Sequence, residues 1–164
     1  MVHAPTPTNV ETGSTSPPTD CEFCRRLEGP SELRDRVVYE DDFFLAAHRI
    51  NDEDLTFRGY LLIQTKRHVS DLASLTNDEA VRLGYVLTTL SRALKECTGA
   101  AWEYCFSFTE GCRHVHFHLA SRYAGLPKEF VRLEFAAWPG APRSDRDGIV
   151  RLSKELAAVA RMSP

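Results

Sequence analysis

The segment His114-Val115-His116-Phe117-His118-Leu119 alternates imidazole and apolar side chains without a break. On a strand, successive side chains point to opposite faces. The histidines therefore stand on one side, about 6.6 Å apart in succession, with Val115, Phe117 and Leu119 on the other. A chain carrying such a strand must fold around a sheet with one face packed as core and the other open for chemistry. Three of the six histidines in the chain fall in this run, which three unrelated structural histidines explain poorly. Two chemistries fit: a metal site built from imidazoles, or a neutral imidazole that attacks phosphorus. The first and third rings lie roughly 13 Å apart, too far for one ion to hold all three.

The surrounding text supplies the rest of such a sheet. Val37-Val38-Tyr39 and Phe43-Phe44-Leu45-Ala46-Ala47 read as a hairpin across Glu40-Asp41-Asp42. Gly59-Tyr60-Leu61-Leu62-Ile63-Gln64 is a third strand, ended by Lys66-Arg67-His68. Thr76-Asn77-Asp78-Glu79 is a capping box that opens a helix running to about Glu96, with Gly99 as its stop. Val81, Gly84, Tyr85 and Thr88, with Leu87, Leu90 and Leu94, form a stripe at helical spacing that is expected to be core. Residues 102–108 and the histidine run give two further strands, and a last helix spans about 145–161. Strands, then a long helix, then strands predict an α+β fold: an antiparallel sheet of about five strands with one long helix and a C-terminal helix.

With 164 residues the chain has room for one domain and some tail. Residues 1–20 are rich in Pro, Thr and Ser and have no Lys or Arg, so they are expected to be a disordered tail. Residues 21–126 are expected to form the working domain and 127–164 a C-terminal extension with the last helix. A net charge of −3 argues against a partner that is a nucleic-acid polymer. No apolar run approaches the ~20 residues of a membrane span, and the N-terminus has no basic segment followed by an apolar one. A cytoplasmic protein without a membrane partner is expected. Five cysteines is an odd count for a disulfide framework, and Cys21-Glu22-Phe23-Cys24 has a spacing that suits one metal ion. Cys97, Cys105 and Cys112 read as small buried or half-buried thiols.

Taken together, HVHFHL resembles the signature of the histidine triad (HIT) family, and the resemblance extends over residues 21–123: Cys21-Glu22-Phe23-Cys24 at the opening, Tyr39-Glu40-Asp41 in the hairpin, Gly59 to Val69, the long helix and the triad strand. It implies the HIT-like fold and nucleotidyl transfer to water or another acceptor. The substrates it implies are small nucleotides such as dinucleoside polyphosphates, nucleoside phosphoramidates or nucleotide sugars. His116 would be the nucleophile and His118 the donor to phosphate oxygens or leaving group. In the zinc-bearing bacterial branch, related to galactose-1-phosphate uridylyltransferase and resembling diadenosine polyphosphate hydrolases, the matching zinc ligands are Cys21, Cys24, His68 and His114. Four such ligands suit a closed structural zinc rather than a catalytic one. The resemblance also implies a homodimer formed through the long helix and the neighbouring strand.

The chain departs from the family pattern at several positions. Tyr60 stands where many members have His, and Ala47-His48-Arg49-Ile50 stands where an acidic residue or Asn often holds the ribose. Asp52, or Asp54, is the candidate substitute. The usual phosphate-binding stretch is replaced by residues 107–113, from which Ser107 and Arg113, with Arg122 further on, are candidate phosphate contacts. Trp138 reads as a packing residue. These changes keep two other readings open: a nucleotide-binding module with weak or no catalysis, and a metal-dependent hydrolase using His116, His118 and Glu110.

Overall fold

The computed structural model describes residues 21–28, 31–51, 54–108 and 111–162. Two short helices, α1 (Glu22–Glu28) and α2 (Ser31–Arg34), lead into strands β1 (Val37–Glu40) and β2 (Phe44–His48). Asp41 makes the hairpin between them, its Oδ1 accepting the backbone N–H groups of Phe43 at 2.8 Å and Phe44 at 2.7 Å. After β3 (Thr56–Phe57), Gly59 turns the chain at φ +73°, where a Cβ would collide with Ser121 Oγ, and β4 (Tyr60–Thr65) begins. Helix α3 (Asn77–Thr98) opens on the expected capping box of Thr76 and Glu79 and closes on Gly99 at φ 67°. Strands β5 (Trp102–Phe106), β6 (His116–Arg122) and β7 (Arg143–Ser144) and helix α4 (Arg146–Met162) complete the chain.

The main sheet has the order β1-β2-β4-β6-β5 with every neighbouring pair antiparallel. That is the expected α+β architecture, five strands with a long helix and a C-terminal helix. One face carries Phe44, Ala46, Leu61, Ile63 and Leu119, packed against Val86, Leu90 and Leu94 of α3 and Leu152 and Leu156 of α4. Both helices thus cover the same side, which leaves the opposite face, with Leu45, Ala47, Leu62, Gln64, His116 and His118, for the site. A smaller cluster of Phe57, Tyr60, Ala120, Phe135 and Ala141 closes one end of that open face.

Two expectations are corrected. Of the α3 stripe, Leu90 and Leu94 are buried as expected and Leu87 packs against the core, whereas Val81, Gly84, Tyr85 and Thr88 are exposed, because the sheet receives the face that also carries Val86 and Ala93. Two apolar rows at helical spacing exist on α3, and only packing selects between them. The triad strand begins at His116 rather than His114. Val115 is instead tied to the segment after β4, donating its N–H to Val69 C=O at 2.6 Å and accepting from Thr65 N–H at 3.3 Å.

Candidate active site and metal centre

The register of β6 against β4 places His116 opposite Gln64 and His118 opposite Leu62. His116 Nδ1–H donates to the backbone carbonyl of His114 at 2.7 Å. That bond fixes the tautomer and leaves Nε2 with its lone pair free to act as a nucleophile. The ring is 6% exposed and stacks on Phe23, with centroids 4.2 Å apart. Ser107 Oγ–H donates to the His116 carbonyl at 2.6 Å, so this hydroxyl sits beside the nucleophile with its proton committed to the backbone.

His118 stacks almost parallel on Phe106 at 4.8 Å, and its Nδ1 lies 2.9 Å from Tyr60 Oη. With Tyr60 O–H donating to Nδ1, Nε2–H of His118 becomes a donor toward the open face. Burial, helped by the positive fields of His116 and Arg49, pushes the His118 pKa down to about 4, so the ring is neutral at physiological pH. Tyr60 thus supplies a polar contact to His118 at the position where the family resemblance leads one to expect a histidine. Its place on the site face, in register near His118, is visible only once the strands are paired.

His114 faces the other way along the same edge. Its Nε2–H donates to Thr65 C=O at 2.9 Å, which turns Nδ1 toward Cys21 Sγ at 3.4 Å and Cys24 Sγ at 3.6 Å. His68 Nδ1 stands 3.4 Å from Cys24 Sγ. The four ligand atoms lie within 4.8 Å of one another. A tetrahedral ion with nitrogen and sulfur ligands separates its ligand atoms by about 3.6 Å, so the donor set fits zinc in type and in spacing. Burial and the neighbouring Cys21 push the Cys24 thiol up to about 12, so two thiolates this close require a compensating cation. The expected ligands Cys21, Cys24, His68 and His114 are thus brought together. Cys112, half-buried as expected from sequence, also lies beside them: its Sγ is 3.6 Å from Cys21 Sγ, across 91 residues of chain.

The Cys/His cluster and His116 are joined through α1. Phe23, between the two cysteines, touches both His114 and His116, and its carbonyl accepts from Gln64 Nε2–H at 2.8 Å. Neither Phe23 nor Gln64 carries a sequence signal of function, since each is defined by what it meets across strands. Among the other candidates, Arg113 and Asp54 are exposed on loops, and Asp52 and Glu110 lie outside the described residues. Arg122 is four residues beyond His118, roughly 13 Å along the strand, over the Trp102 ring. Trp138 packs against the small aromatic cluster, as expected of a packing residue.

Two cavities open beside the histidine pair. One, of about 400 Å³, is separated from His116 by Gln64, and the other, of about 440 Å³, is separated from His118 by Tyr60. They share Arg49 and Asn51.

The comparisons with known proteins agree on one family. The HIT domain profile matches residues 30–125. The chain belongs to the HIT family. It is 28% identical over 109 residues to an uncharacterized HIT-like protein of Methanocaldococcus jannaschii, a match spanning 64% of this chain and 81% of that one. A hypothetical histidine triad nucleotide-binding protein from Sulfolobus tokodaii has the same fold at a TM-score of 0.62 and 19% identity, covering 87% of this chain and 93% of its own. A zinc-bound histidine triad family protein from Mycobacterium smegmatis superposes at a TM-score of 0.59 and 24% identity, over 87% of this HIT chain and 94% of that one. HIT proteins are generally nucleotide hydrolases or transferases, and this chain stands among them at that level. No helix among the described residues is long and apolar enough to cross a membrane.

Proposed function

We propose that this HIT protein hydrolyses or transfers nucleotidyl groups through a covalent intermediate on His116, with dinucleoside polyphosphate-like substrates favoured. The observation that carries this reading is the His116 Nδ1–H bond to the His114 carbonyl, which aims a neutral Nε2 at the open face. In the first half-reaction that lone pair forms a bond to the α-phosphorus as the bond to the leaving oxygen breaks, and the departing phosphate leaves as an anion. Charge on the phosphoryl oxygens is met by His118 Nε2–H, held in its tautomer by Tyr60. In the second half-reaction water attacks phosphorus, the P–N bond breaks, His116 recovers its lone pair and the water proton goes to solvent. Two displacements replace one difficult step. Arg113 adds charge for the outgoing phosphates, and Ser107 steadies the carbonyl of the nucleophile.

Cys21, Cys24, His68 and His114 would hold zinc in a closed tetrahedral shell. Such an ion supplies no reactive water and acts as a structural clamp between α1, the segment after β4 and the triad strand. The zinc named in the Mycobacterium smegmatis relative supports this assignment. The exposed row Val81, Gly84, Tyr85 and Thr88 on α3 is the surface for a homodimer. Free cysteines in this cluster suit the reducing cytoplasm.

Mixtures of the protein with dinucleoside polyphosphates and nucleoside phosphoramidates, quenched in alkaline denaturant to preserve a P–N bond, test the mechanism by mass spectrometry. The expected result is one nucleotidyl adduct per chain, mapped to His116 and absent from His116→Ala. Tight nucleotide binding with no adduct and no turnover across the panel would instead make the protein a binding module.

A further inference from the structure

We infer that the cavity beside His116 receives a second phosphate group of the substrate, carried on its ribose. This inference rests on the nucleotide reading above and narrows it to nucleotides phosphorylated at the 2′ or 3′ oxygen as well as at the 5′ position.

The cavity floor is the open face of β2 and β4, with Ala47 and Leu62 side by side and Gln64 next to the triad strand. Those strands lie one and two strand spacings from β6, roughly 5 to 10 Å from the histidines, the distance at which the sugar of a nucleotide on His116 must lie. Three arginines line the cavity from separate segments: Arg26 from α1, Arg36 from the turn before β1, and Arg49 just past β2, its guanidinium 5.1 Å over the Tyr60 ring. Among the described residues no carboxylate lines it. In a chain whose net charge is −3, this convergence is not a by-product of composition. Arg36 is held in place by donating to the His48 carbonyl at 2.5 Å, and Arg26 shares the exposed Glu22 at 2.9 Å.

Gathering like charges in a concave, partly desolvated site costs free energy that a bound anion offsets. A guanidinium has donors only and cannot accept from ribose hydroxyls, whereas it matches a phosphate bidentately. An unmodified ribose diol is instead held by a carboxylate that accepts from it. Arg49 stands at the end of β2, where the family resemblance places an acidic residue or Asn. The same exchange, an acidic residue replaced by arginine, separates binding sites for a ribose 2′-hydroxyl from those for a 2′-phosphate in dinucleotide-binding folds. The chemistry shared by the possible ligands is a second phosphoryl group. Its other source would be a long 5′ polyphosphate chain folded back over the sugar.

Titration calorimetry on the zinc-loaded protein separates these sources, using adenosine 5′-monophosphate, the 2′,5′- and 3′,5′-bisphosphates and adenosine 5′-tetraphosphate at fixed ionic strength. At least one bisphosphate is expected to bind about tenfold or more tightly than the monophosphate and more tightly than the tetraphosphate. Arg49→Met, with its fold checked by thermal melting, is expected to bring that ratio close to one, and Arg26→Gln, on the flank of α1, to reduce it. Equal affinity for monophosphate and bisphosphates overturns the subsite and leaves the nucleotide reading standing. A preference that survives Arg49→Met also overturns it, and a gain confined to the tetraphosphate overturns the ribose assignment. Binding of none of the four overturns the nucleotide reading and the subsite together.

Discussion

At the scale of single residues, two buried histidines are specialised by their hydrogen bonds. His116 donates from Nδ1 and keeps Nε2 bare, so His116→Ala is expected to lower turnover at least about a thousandfold while nucleotide affinity changes far less, as steady-state kinetics and calorimetry would show. His48 does the opposite work. It is 1% exposed, its Nε2 accepts from the backbone N–H groups of Gly59 and Tyr60, and its Nδ1–H donates to Arg49 C=O. Burial holds its pKa down at about 4 against an ordinary 6.5. The unfolded chain takes up that proton near pH 6.5 and the folded chain resists it to about pH 4, so the stability His48 lends is complete above 6.5 and is lost as pH falls through that window. His48→Gln keeps an acceptor without a titrating ring. Urea unfolding from pH 7 to pH 4 should therefore lose about 3 kcal/mol less in this variant than in the parent. The triad and the Cys-x-x-Cys pair were legible in the sequence because strand period and ligand spacing are local signals, and His68 was legible only through the family resemblance. Phe23, Gln64, Tyr60 and Cys112 were not, because each matters for a group met across the sheet or across most of the chain.

At the scale of elements, both ends of α3 were legible, while its buried face was legible only in part, through Leu90 and Leu94. Thr76 and Glu79 announce the start of α3 by their chemistry, and Gly99 announces its end. Which of two apolar rows faces inward depends on how α3 and α4 share one side of the sheet, a tertiary choice. Glu79 shows how far a cap can reach. It is 3% exposed, accepts from the Thr76 N–H at 2.7 Å, and takes two bonds from Arg67, at 3.0 and 2.7 Å. Arg67 pins the segment that carries His68. Half of the Arg67 side chain is in solvent, which screens the pair, so Glu79→Ala is expected to cost about 2 kcal/mol in chemical denaturation. The same variant should release zinc to a chromophoric chelator faster than the parent does, whereas a loss confined to α3 would leave that rate unchanged.

At the scale of the whole molecule, the chain closes a loop between its helices and its chemistry. Helix α4 lies in the same core as α3, with Leu152 and Leu156 essentially unexposed, so Leu156→Ala is expected to cost about 2 to 5 kcal/mol by denaturant titration. On the opposite face the Cys/His cluster lies where α1 meets the segment carrying His114 and His116. Cys24→Ser should lose most of its zinc by metal analysis, expose residues 22–28 to hydrogen exchange and lower the melting temperature. An antiparallel sheet of about five strands could be anticipated from the run of strands around one long helix, but its order and the two arginine-sharing cavities could not, because they arise where β2, β4 and the loops beyond them meet. The tie between metal anchor and nucleophile also limits how this sequence can change in length. His114 and His116 sit two positions apart on one extended segment, and a single inserted residue between them would exchange the faces of everything downstream, sending imidazoles into the hydrophobic core and Phe117 toward the substrate. Every residue of the motif would survive such an insertion and the site would not. The exposed residues 54–55, which belong to no strand, carry no such constraint, so length variation has room there and none inside the triad.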